Sequence, residues 1–106
     1  MSWFLYVIEC RDGSLYTGIA VDVVARYAAH VAGKGARYTR GRPPVRLLAV
    51  AAFPDRSTAS RAEYEVKRLS LPGKRQFCEA HAGLAQTLAP NLVRIDPVNV
   101  DIASRS

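Results

Sequence analysis

Cysteine is scarce in this sequence. The 106 residues include two cysteines, Cys10 and Cys78, and two histidines. The cysteines form no CxxC pair and have no histidines at the intervals typical of zinc sites, which argues against a structural zinc centre. We expect both to be free thiols of a cytoplasmic protein, and a disulfide between them stays open.

Long apolar segments are also missing. No apolar run approaches the ~20 residues that a membrane-spanning helix needs. The N-terminus has no basic segment followed by a long apolar stretch, so it does not resemble a signal peptide. The expected location is therefore the cytoplasm.

Acidic residues are few compared with basic ones. Asp and Glu total 9 against 15 Lys and Arg, which gives a net charge of +6. This balance favours a polyanionic partner, either nucleic acid or an anionic membrane surface, although many small domains are simply basic. The chain has the length and the apolar content of a single soluble domain with its own core.

Two strands joined by a turn are predicted near the N-terminus. Residues 3–10 and 14–20 are rich in aromatic and β-branched types, and Asp12-Gly13 between them is a typical turn sequence. Each strand contains one tyrosine.

The length of the turn decides whether the two tyrosines can act together, because side chains on a strand alternate between faces. A two-residue loop would place Tyr6 and Tyr16 on opposite faces. A three-residue loop would pair Ile8 with Tyr16 and Tyr6 with Gly18, which puts both tyrosines on one face. Turn propensity leaves both registers open, and only the second allows a shared site.

A helix is predicted from Asp22, a good N-cap, to Gly33, a good C-terminal cap. Arg26 and His30 lie one turn apart on a face away from the apolar stripe. Such pairs are usually solvated, but their common face also makes them candidates for a site. The apolar stripe follows helical spacing and consists of Val24, Tyr27, Ala28 and Val31.

A basic segment follows, from Lys34 to Pro44. Its glycines and prolines argue against regular structure. Cations interleaved with an aromatic ring suit contacts with phosphates and stacking on bases, although a solubilising loop would look the same. The cations are Lys34, Arg37, Arg40 and Arg42, and the aromatic residue is Tyr38.

A third strand and a second helix are predicted next. Residues 45–53 are apolar nearly throughout, so this strand is expected to be central or covered on both faces. Helical spacing runs over residues 57–69, with Glu63 at the edge of the apolar stripe. Glu63 has two structural explanations, an ion pair with Lys67 worth about 0.3–0.5 kcal/mol or a capping box with Ser60. The stripe consists of Ala59, Ala62, Val66 and Leu69.

The C-terminal part is less regular. Leu71-Pro72-Gly73 interrupts the helical pattern, so a short third helix is expected only from Lys74 to about His81. Residues 82–88 extend it or pack beside it. After Pro90 we expect at most a short extended segment and a frayed tail.

The predicted elements follow the order β-β-α-β-α-α. This order is typical of an α/β (α+β) layer domain, with helices that cover a small sheet. We expect the folded domain to span residues 1–82 and a partly irregular C-terminal extension, without an assigned function, to span residues 83–106.

These motifs, in this order, resemble the GIY-YIG nuclease superfamily, and within it the small stand-alone YhbQ-like branch. Each motif alone is a weak signal, whereas the ordered set is specific. The resemblance implies a three-stranded antiparallel sheet flanked by helices, and metal-dependent hydrolysis of phosphodiester bonds in DNA. The similar segments cover about residues 2–80 and include Leu5-Tyr6-Val7, Tyr16-Thr17-Gly18, Arg26 with His30, residues 36–41 and residues 62–69.

For the metal and the phosphate, the resemblance implies two residues. Glu63 would be the single carboxylate that holds Mg²⁺ or Mn²⁺, an ion that takes its other ligands from water and substrate phosphates. Arg26 would hold the scissile phosphate with its permanently charged, planar guanidinium.

For the attacking water, the resemblance implies the two tyrosines. Tyr6, helped by Tyr16, would orient and deprotonate the water, and which of them is the base stays open. A free tyrosine has a pKa near ~10, so Arg26, His30 and the metal would need to supply a positive field. His30 would relay a proton or contact the phosphate, and Gly18 marks the place where a side chain would crowd the site.

The sequence also departs from the family pattern. Some relatives have a lysine directly after the second-motif glycine, where this chain has Ile19, and Pro72-Gly73 replaces a charged helical continuation.

No appended DNA-binding domain is expected. Target choice would then come from the basic segment, and Lys67 is a further residue expected to bind nucleic acid. Single-stranded or branched DNA is the expected substrate. The alternatives are a nucleic-acid-binding module without hydrolysis and a protein-interaction domain.

Overall fold

A computed structural model of the chain describes residues 2–95. The three strands form an antiparallel sheet in the order β2-β1-β3, with helices on both faces, which confirms the predicted fold class. In chain order the elements are β1 (Trp3–Cys10), β2 (Leu15–Ala20), α1 (Val23–Val31), α2 (Arg37–Gly41), β3 (Pro44–Phe53), α3 (Arg56–Lys67), α4 (Leu71–Ala80) and α5 (Ala82–Ile95).

The centre of the sheet is β1. Its segment Leu5–Ile8 is apolar, and each residue in it is at most 2% exposed, which a strand achieves only when both of its faces are covered. Of the two alternatives expected for the third strand, a central position does not hold, because β3 lies at an edge. The other expectation, coverage on both faces, holds at Ala49 and Val50, which are buried in different clusters.

The hairpin has the odd-length loop that a shared tyrosine site requires. Tyr6 pairs with Gly18 and Ile8 pairs with Tyr16, which confirms the second register. Gly13 has a φ of 85°, a conformation that glycine adopts without strain, and its N–H donates to the Cys10 carbonyl over 2.9 Å. Tyr6 and Tyr16 therefore lie on the same face of the sheet.

Each face of the sheet has its own core. Tyr6 and Ile8 pack with α1 and α5, whereas Leu5 and Val7 pack with α3 and α4. The two cysteines are buried, free and divided between these cores, Cys10 in the first and Cys78 in the second. The prediction of free thiols is confirmed.

The first helix begins and ends where the sequence predicts. The Asp22 side chain caps α1 by accepting from the Ala25 N–H over 3.0 Å, and Gly33 follows its C-terminus with a φ of 78°. The buried face differs from the prediction, since it includes His30. A solvated position for His30 is therefore wrong.

The basic segment is not an irregular loop throughout. Residues Arg37–Gly41 form the short helix α2, which corrects the prediction. Thr39 is buried on its inner side, whereas Arg37 and Arg40 are exposed. Burial of one side chain against α1 explains why a glycine- and proline-flanked segment still folds into a helical turn.

The second predicted helix corresponds to α3. Its N-cap is Asp55, which accepts from the Thr58 N–H over 2.8 Å. This start excludes the capping box between Ser60 and Glu63. The alternative ion pair is present, with Lys67 Nζ 3.1 Å from Glu63 Oε2. Leu69 lies beyond the helix and is 40% exposed, so its place in the core stripe is wrong.

The C-terminal helices are longer than predicted. Pro72 lies in the first turn of α4, where its missing N–H leaves no bond unmade, so the predicted interruption is instead the start of a helix capped by Ser70. α5 continues through Pro90 to Ile95, which corrects the expected loss of helix after Pro90. The remaining tail, from residue 96 onward, lies outside the described residues.

The boundary expected after residue 82 stays a prediction. Ala85 and Leu92 of α5 are buried in the same core as Tyr6.

No helix within residues 2–95 combines the length and the apolar character that crossing a bilayer requires. The cytoplasmic location also stays a prediction.

Candidate active site

A buried hydrogen bond between Tyr6 and His30 forms the centre of the candidate site. The Tyr6 hydroxyl lies 2.9 Å from His30 Nε2, and the two residues are 2% and 1% exposed. Tyr6 comes from the central strand and His30 from α1. Two residues far apart in the chain thus meet through the packing of α1 on the sheet.

A third residue, Thr39 of α2, completes a chain of hydrogen bonds. His30 Nδ1 lies 2.7 Å from Thr39 Oγ1, and that hydroxyl donates to the Ala36 carbonyl over 3.0 Å. Within residues 2–95, no buried side-chain nitrogen or oxygen lacks a hydrogen-bond partner. The buried polar groups of the site are therefore satisfied, as a stable interior requires.

Burial shifts the pKa values of both central residues strongly. Loss of hydration, together with the nearby Arg26 charge, lowers the pKa of His30 from 6.5 to about 4. Loss of hydration raises the pKa of Tyr6 from 10.0 to about 12. At neutral pH His30 is uncharged and Tyr6 is a phenol. The expectation that His30 supplies positive charge is therefore wrong for the free protein. Shifts of this size are common at functional sites.

Arg26 and Glu63 both act electrostatically on the Tyr6 phenol. The nearby Arg26 guanidinium lowers its pKa, whereas Glu63 raises it. The Glu63 side chain is 22% exposed. Although α1 and α3 pack on opposite faces of the sheet, their charged groups act on one phenol next to the edge strand β2.

Aromatic rings extend the site from Tyr6 toward the surface. The Tyr16 ring centre lies 6.3 Å from that of Tyr6 and 5.2 Å from that of His30. Tyr38 follows at 5.7 Å from Tyr16, and the Arg42 guanidinium lies 4.3 Å above the Tyr38 ring. Because Arg42 already covers a face of Tyr38, base stacking by Tyr38 stays a prediction.

The predicted basic residues are exposed. Lys34, Arg37 and Arg40 form no ion pair with any residue of the described chain, so their charges are available. Arg42 is paired with Asp12 over 3.2 Å, and Lys67 is paired with Glu63.

Two glycines make room for the central pair. A Cβ on Gly18 would lie 2.5 Å from the Tyr6 hydroxyl, as the sequence led us to expect of this position. A Cβ on Gly35 would collide with His30 Nδ1 and lie 2.8 Å from Cε1 and from Cγ of the ring. The sequence alone did not identify Gly35 or Thr39 as site residues. Both lie in the basic segment, for which the sequence predicts an irregular structure with phosphate-binding cations.

The residues present are compatible with one divalent ion held by a single carboxylate. In the described part of the chain, no three residues of the His, Cys, Asp and Glu types lie close enough to form a metal cage. Glu63 is partly exposed, and its partner Lys67 is 51% exposed and free to move away. Mg²⁺ fits such a site because it keeps several waters and binds substrate phosphates.

The chain is similar in sequence to several known proteins. A sequence model of the GIY-YIG catalytic domain matches residues 2–76. A UPF0213 protein of Cupriavidus pinatubonensis is 54% identical over 76 residues, which are 72% of this chain and 84% of the relative. The UPF0213 protein YhbQ of Escherichia coli is 46% identical over 87 residues, which are 82% of this chain and 87% of the relative.

One solved structure is also similar. The solution NMR structure of a UPF0213 protein from Bacillus halodurans has 51% sequence identity and a TM-score of 0.51. The match covers 78% of this chain and 88% of that protein. Its similarity supports the three-stranded sheet with flanking helices described above.

Proposed function

Because the chain belongs to the GIY-YIG catalytic domain family, we propose that it is an endonuclease that hydrolyses phosphodiester bonds in DNA with the help of a divalent metal ion. The observation that best supports this proposal is the buried Tyr6–His30 hydrogen bond, with Arg26 and Glu63 both acting on the same phenol. A guanidinium suited to phosphate, a carboxylate suited to a metal ion and a buried hydrogen-bonded pair thus all influence one phenol, which supports a reaction at this site.

In the proposed reaction, the attacking water gives a proton to the Tyr6 oxygen while Tyr6 passes its own proton to His30 Nε2. The uncharged imidazole is able to accept this proton, and the 2.9 Å contact requires no movement. Tyr16 would help to orient the water from the neighbouring position. The hydrogen bond to His30 favours Tyr6 over Tyr16 as the base.

The charge of the substrate would assist this transfer. In the free protein a pKa of about 12 for Tyr6 and about 4 for His30 opposes it. A phosphate bound to Arg26 would offset the positive charge that lowers the pKa of His30, so the imidazole would accept a proton more readily. Arg26 would in this way both hold the phosphate and tune the base.

Glu63 would hold the divalent ion, either Mg²⁺ or Mn²⁺. When bound, such an ion stabilises negative charge on the leaving 3′ oxygen and on the phosphoryl group. Release of Lys67 from Glu63 would free this lysine for a phosphate contact. Lys34, Arg37, Arg40 and Arg42 would bind the DNA backbone, with single-stranded or branched DNA as the proposed substrate.

A nucleic-acid-binding module without hydrolysis is the second candidate. The wide separation between the pKa values of Tyr6 and His30 favours it, because the resting phenol is a poor base. The exposed cations would bind nucleic acid in either case, so binding does not distinguish the two candidates.

A DNA-cleavage assay distinguishes the endonuclease from the binding module. Purified protein is incubated with supercoiled plasmid and with single-stranded and branched oligonucleotides, in Mg²⁺, in Mn²⁺ or in EDTA. We expect cleavage with metal and none with EDTA. Glu63→Gln is expected to lower the rate by about 100-fold or more, whereas Glu65→Gln, which changes an exposed carboxylate of the same helix, retains it.

Two outcomes would count against the enzyme. Equal cleavage by wild type and Glu63→Gln would indicate a contaminating nuclease. Salt-sensitive binding without cleavage of any of these substrates would instead support the binding module.

A further inference from the structure

Thr39 is a buried residue at the centre of an exposed, basic element. It is 1% exposed, although Arg37 and Arg40 of the same helix face solvent. Its hydroxyl contacts two groups, His30 Nδ1 at 2.7 Å and the Ala36 carbonyl at 3.0 Å. No side-chain hydrogen bond of the described residues joins it to Tyr6, Arg26 or Glu63, so its hydroxyl acts on the reaction through His30.

The direction of the hydrogen bonds follows from the Ala36 carbonyl, which can only accept. Thr39 therefore uses its one hydrogen as donor to Ala36, and its oxygen accepts from His30. This places the imidazole hydrogen on Nδ1 and leaves Nε2 as an acceptor. Tyr6 must then donate to Nε2. The tautomer is thus assigned from the network of donors and acceptors.

We propose that Thr39 is a positioning residue that fixes His30 in the Nδ1–H tautomer and thereby keeps Nε2 free to take the proton of Tyr6. The role in proton transfer rests on the proposed nuclease function, whereas the tautomer does not. The other tautomer would place a hydrogen on Nε2 and turn Tyr6 into its acceptor. Tyr6 could then pass no proton to the imidazole.

The proton balance shows why this tautomer suits the reaction. The water loses a proton to the Tyr6 oxygen as its own oxygen bonds to phosphorus, and the Tyr6 hydrogen moves to Nε2. The resulting imidazolium has hydrogens on both nitrogens, and its Nδ1–H still donates to Thr39. The Thr39–Ala36 bond is unchanged, so no group in the chain has to rotate.

The position of Thr39 also links substrate binding to this proton path. α2 has only five residues, Arg37–Gly41, and it is too short to be stable alone. The absence of a side chain at Gly35 allows the segment to approach the His30 ring. Phosphates bound by Arg37 and Arg40 would hold α2 against α1 and so keep Thr39 on His30.

The test compares Thr39→Val, which removes the hydroxyl, with Thr39→Ser, which keeps it. Thr87→Val is the matched control, because Thr87 also donates to a backbone carbonyl, that of Gly83, but lies on the exposed side of α5. Two quantities are measured: the ¹⁵N signals of the His30 ring at pH 7, and kcat and KM for DNA cleavage.

For wild type, Thr39→Ser and Thr87→Val we expect a protonated Nδ1 and an unprotonated Nε2. For Thr39→Val we expect the hydrogen to move to Nε2, because a buried Nδ1–H without an acceptor is unfavourable. The same variant should lose about 100-fold in kcat with little change in KM, and Thr39→Ser should restore both the tautomer and the rate.

Several results would overturn the proposal. A wild-type His30 with its hydrogen on Nε2 would do so even if Thr39→Val fails to fold. The proposal would also be overturned if Thr39→Val retained both the Nδ1–H tautomer and the wild-type kcat. If the wild type cleaves no DNA but Thr39→Val moves the hydrogen, the tautomer assignment stands and the nuclease function fails.

Discussion

Gly18 lies directly beneath the hydroxyl of Tyr6. A Cβ at position 18 would be 2.5 Å from the Tyr6 oxygen, 2.7 Å from Cζ and 3.2 Å from Cε2 of Tyr16. The two distances to Tyr6 are shorter than real Cβ contacts allow, so the phenol reaches His30 only because position 18 has no side chain. The pairing of Tyr6 with Gly18 across the hairpin explains this arrangement.

Gly18→Ala should therefore displace the Tyr6 ring. We expect a loss of about 1–3 kcal/mol in the free energy of unfolding from overpacking and a strong loss of DNA cleavage. Urea denaturation and the plasmid assay measure the two effects. Gly83→Ala is the control, since its Cβ would meet nothing within 4 Å. Full activity of Gly18→Ala would contradict the placement of Tyr6 in the reaction.

His30 should make the protein sensitive to acid. Its pKa is about 4 when folded and 6.5 when unfolded, so the unfolded chain binds more protons between these values. Stability is then full above pH 6.5 and falls by on the order of 3 kcal/mol as the pH drops toward 4. Denaturation at several pH values measures this slope. It should persist in His81→Gln and disappear in His30→Gln; a slope unchanged in His30→Gln would exclude this histidine as its cause.

Tyr6 and Tyr16 should differ in importance for the chemical step. Tyr6→Phe removes the hydrogen-bond donor to His30, and we expect a fall in kcat of about 10²–10⁴-fold. Tyr16→Phe keeps the ring contacts with Tyr6 and His30 and should lose less. Single-turnover cleavage under metal saturation gives both rates. A larger loss in Tyr16→Phe would make Tyr16 the base.

The unpaired arginines of α2 should dominate the salt dependence of DNA binding. Arg37→Ala or Arg40→Ala should each weaken binding and reduce the slope of log K against log salt concentration by about 1, as expected for the loss of one phosphate contact. Arg46 is the matched control, because it is already paired with Glu9 over 2.7 Å. Fluorescence anisotropy from low to moderate salt measures the slopes. Equal effects of all three substitutions would mean that binding has no defined surface.

The two cysteines should be unreactive in the folded protein. Cys10 and Cys78 are 1% and 7% exposed, and burial raises the pKa of both thiols. A thiol reagent such as DTNB should label neither at pH 8 within the time in which both react in denaturant. Rapid labelling of the native protein would show that one of the two cores opens easily.

Local features of the sequence predicted much of the fold. The strands, the caps at Asp22 and Gly33, and the hairpin depend on residues close together in the chain, and all are present. Local features left two hairpin registers open, and the structure has the one that places both tyrosines on one face. Prediction was weaker where tertiary contacts override local preference. Burial of Thr39 stabilises a helix in a segment whose glycines and prolines predict irregular structure. Pro72, which the sequence predicts to interrupt the helical pattern, lies in the first turn of α4.

The sequence by itself determined the family, the order of the three strands and of the helices α1, α3 and α4, and the residue types of the candidate site, because motif spacing and side-chain alternation are properties of the chain alone. Only the tertiary structure decided that His30 is buried and uncharged, that Thr39 forms a hydrogen bond with it, and that Gly35 makes room for its ring. Hydration and hydrogen-bond direction depend on the neighbours that packing brings together, and these neighbours are distant in sequence. Gly18 illustrates both sources of information. The sequence motif identifies the position, and only the folded structure shows that it lies against the Tyr6 hydroxyl.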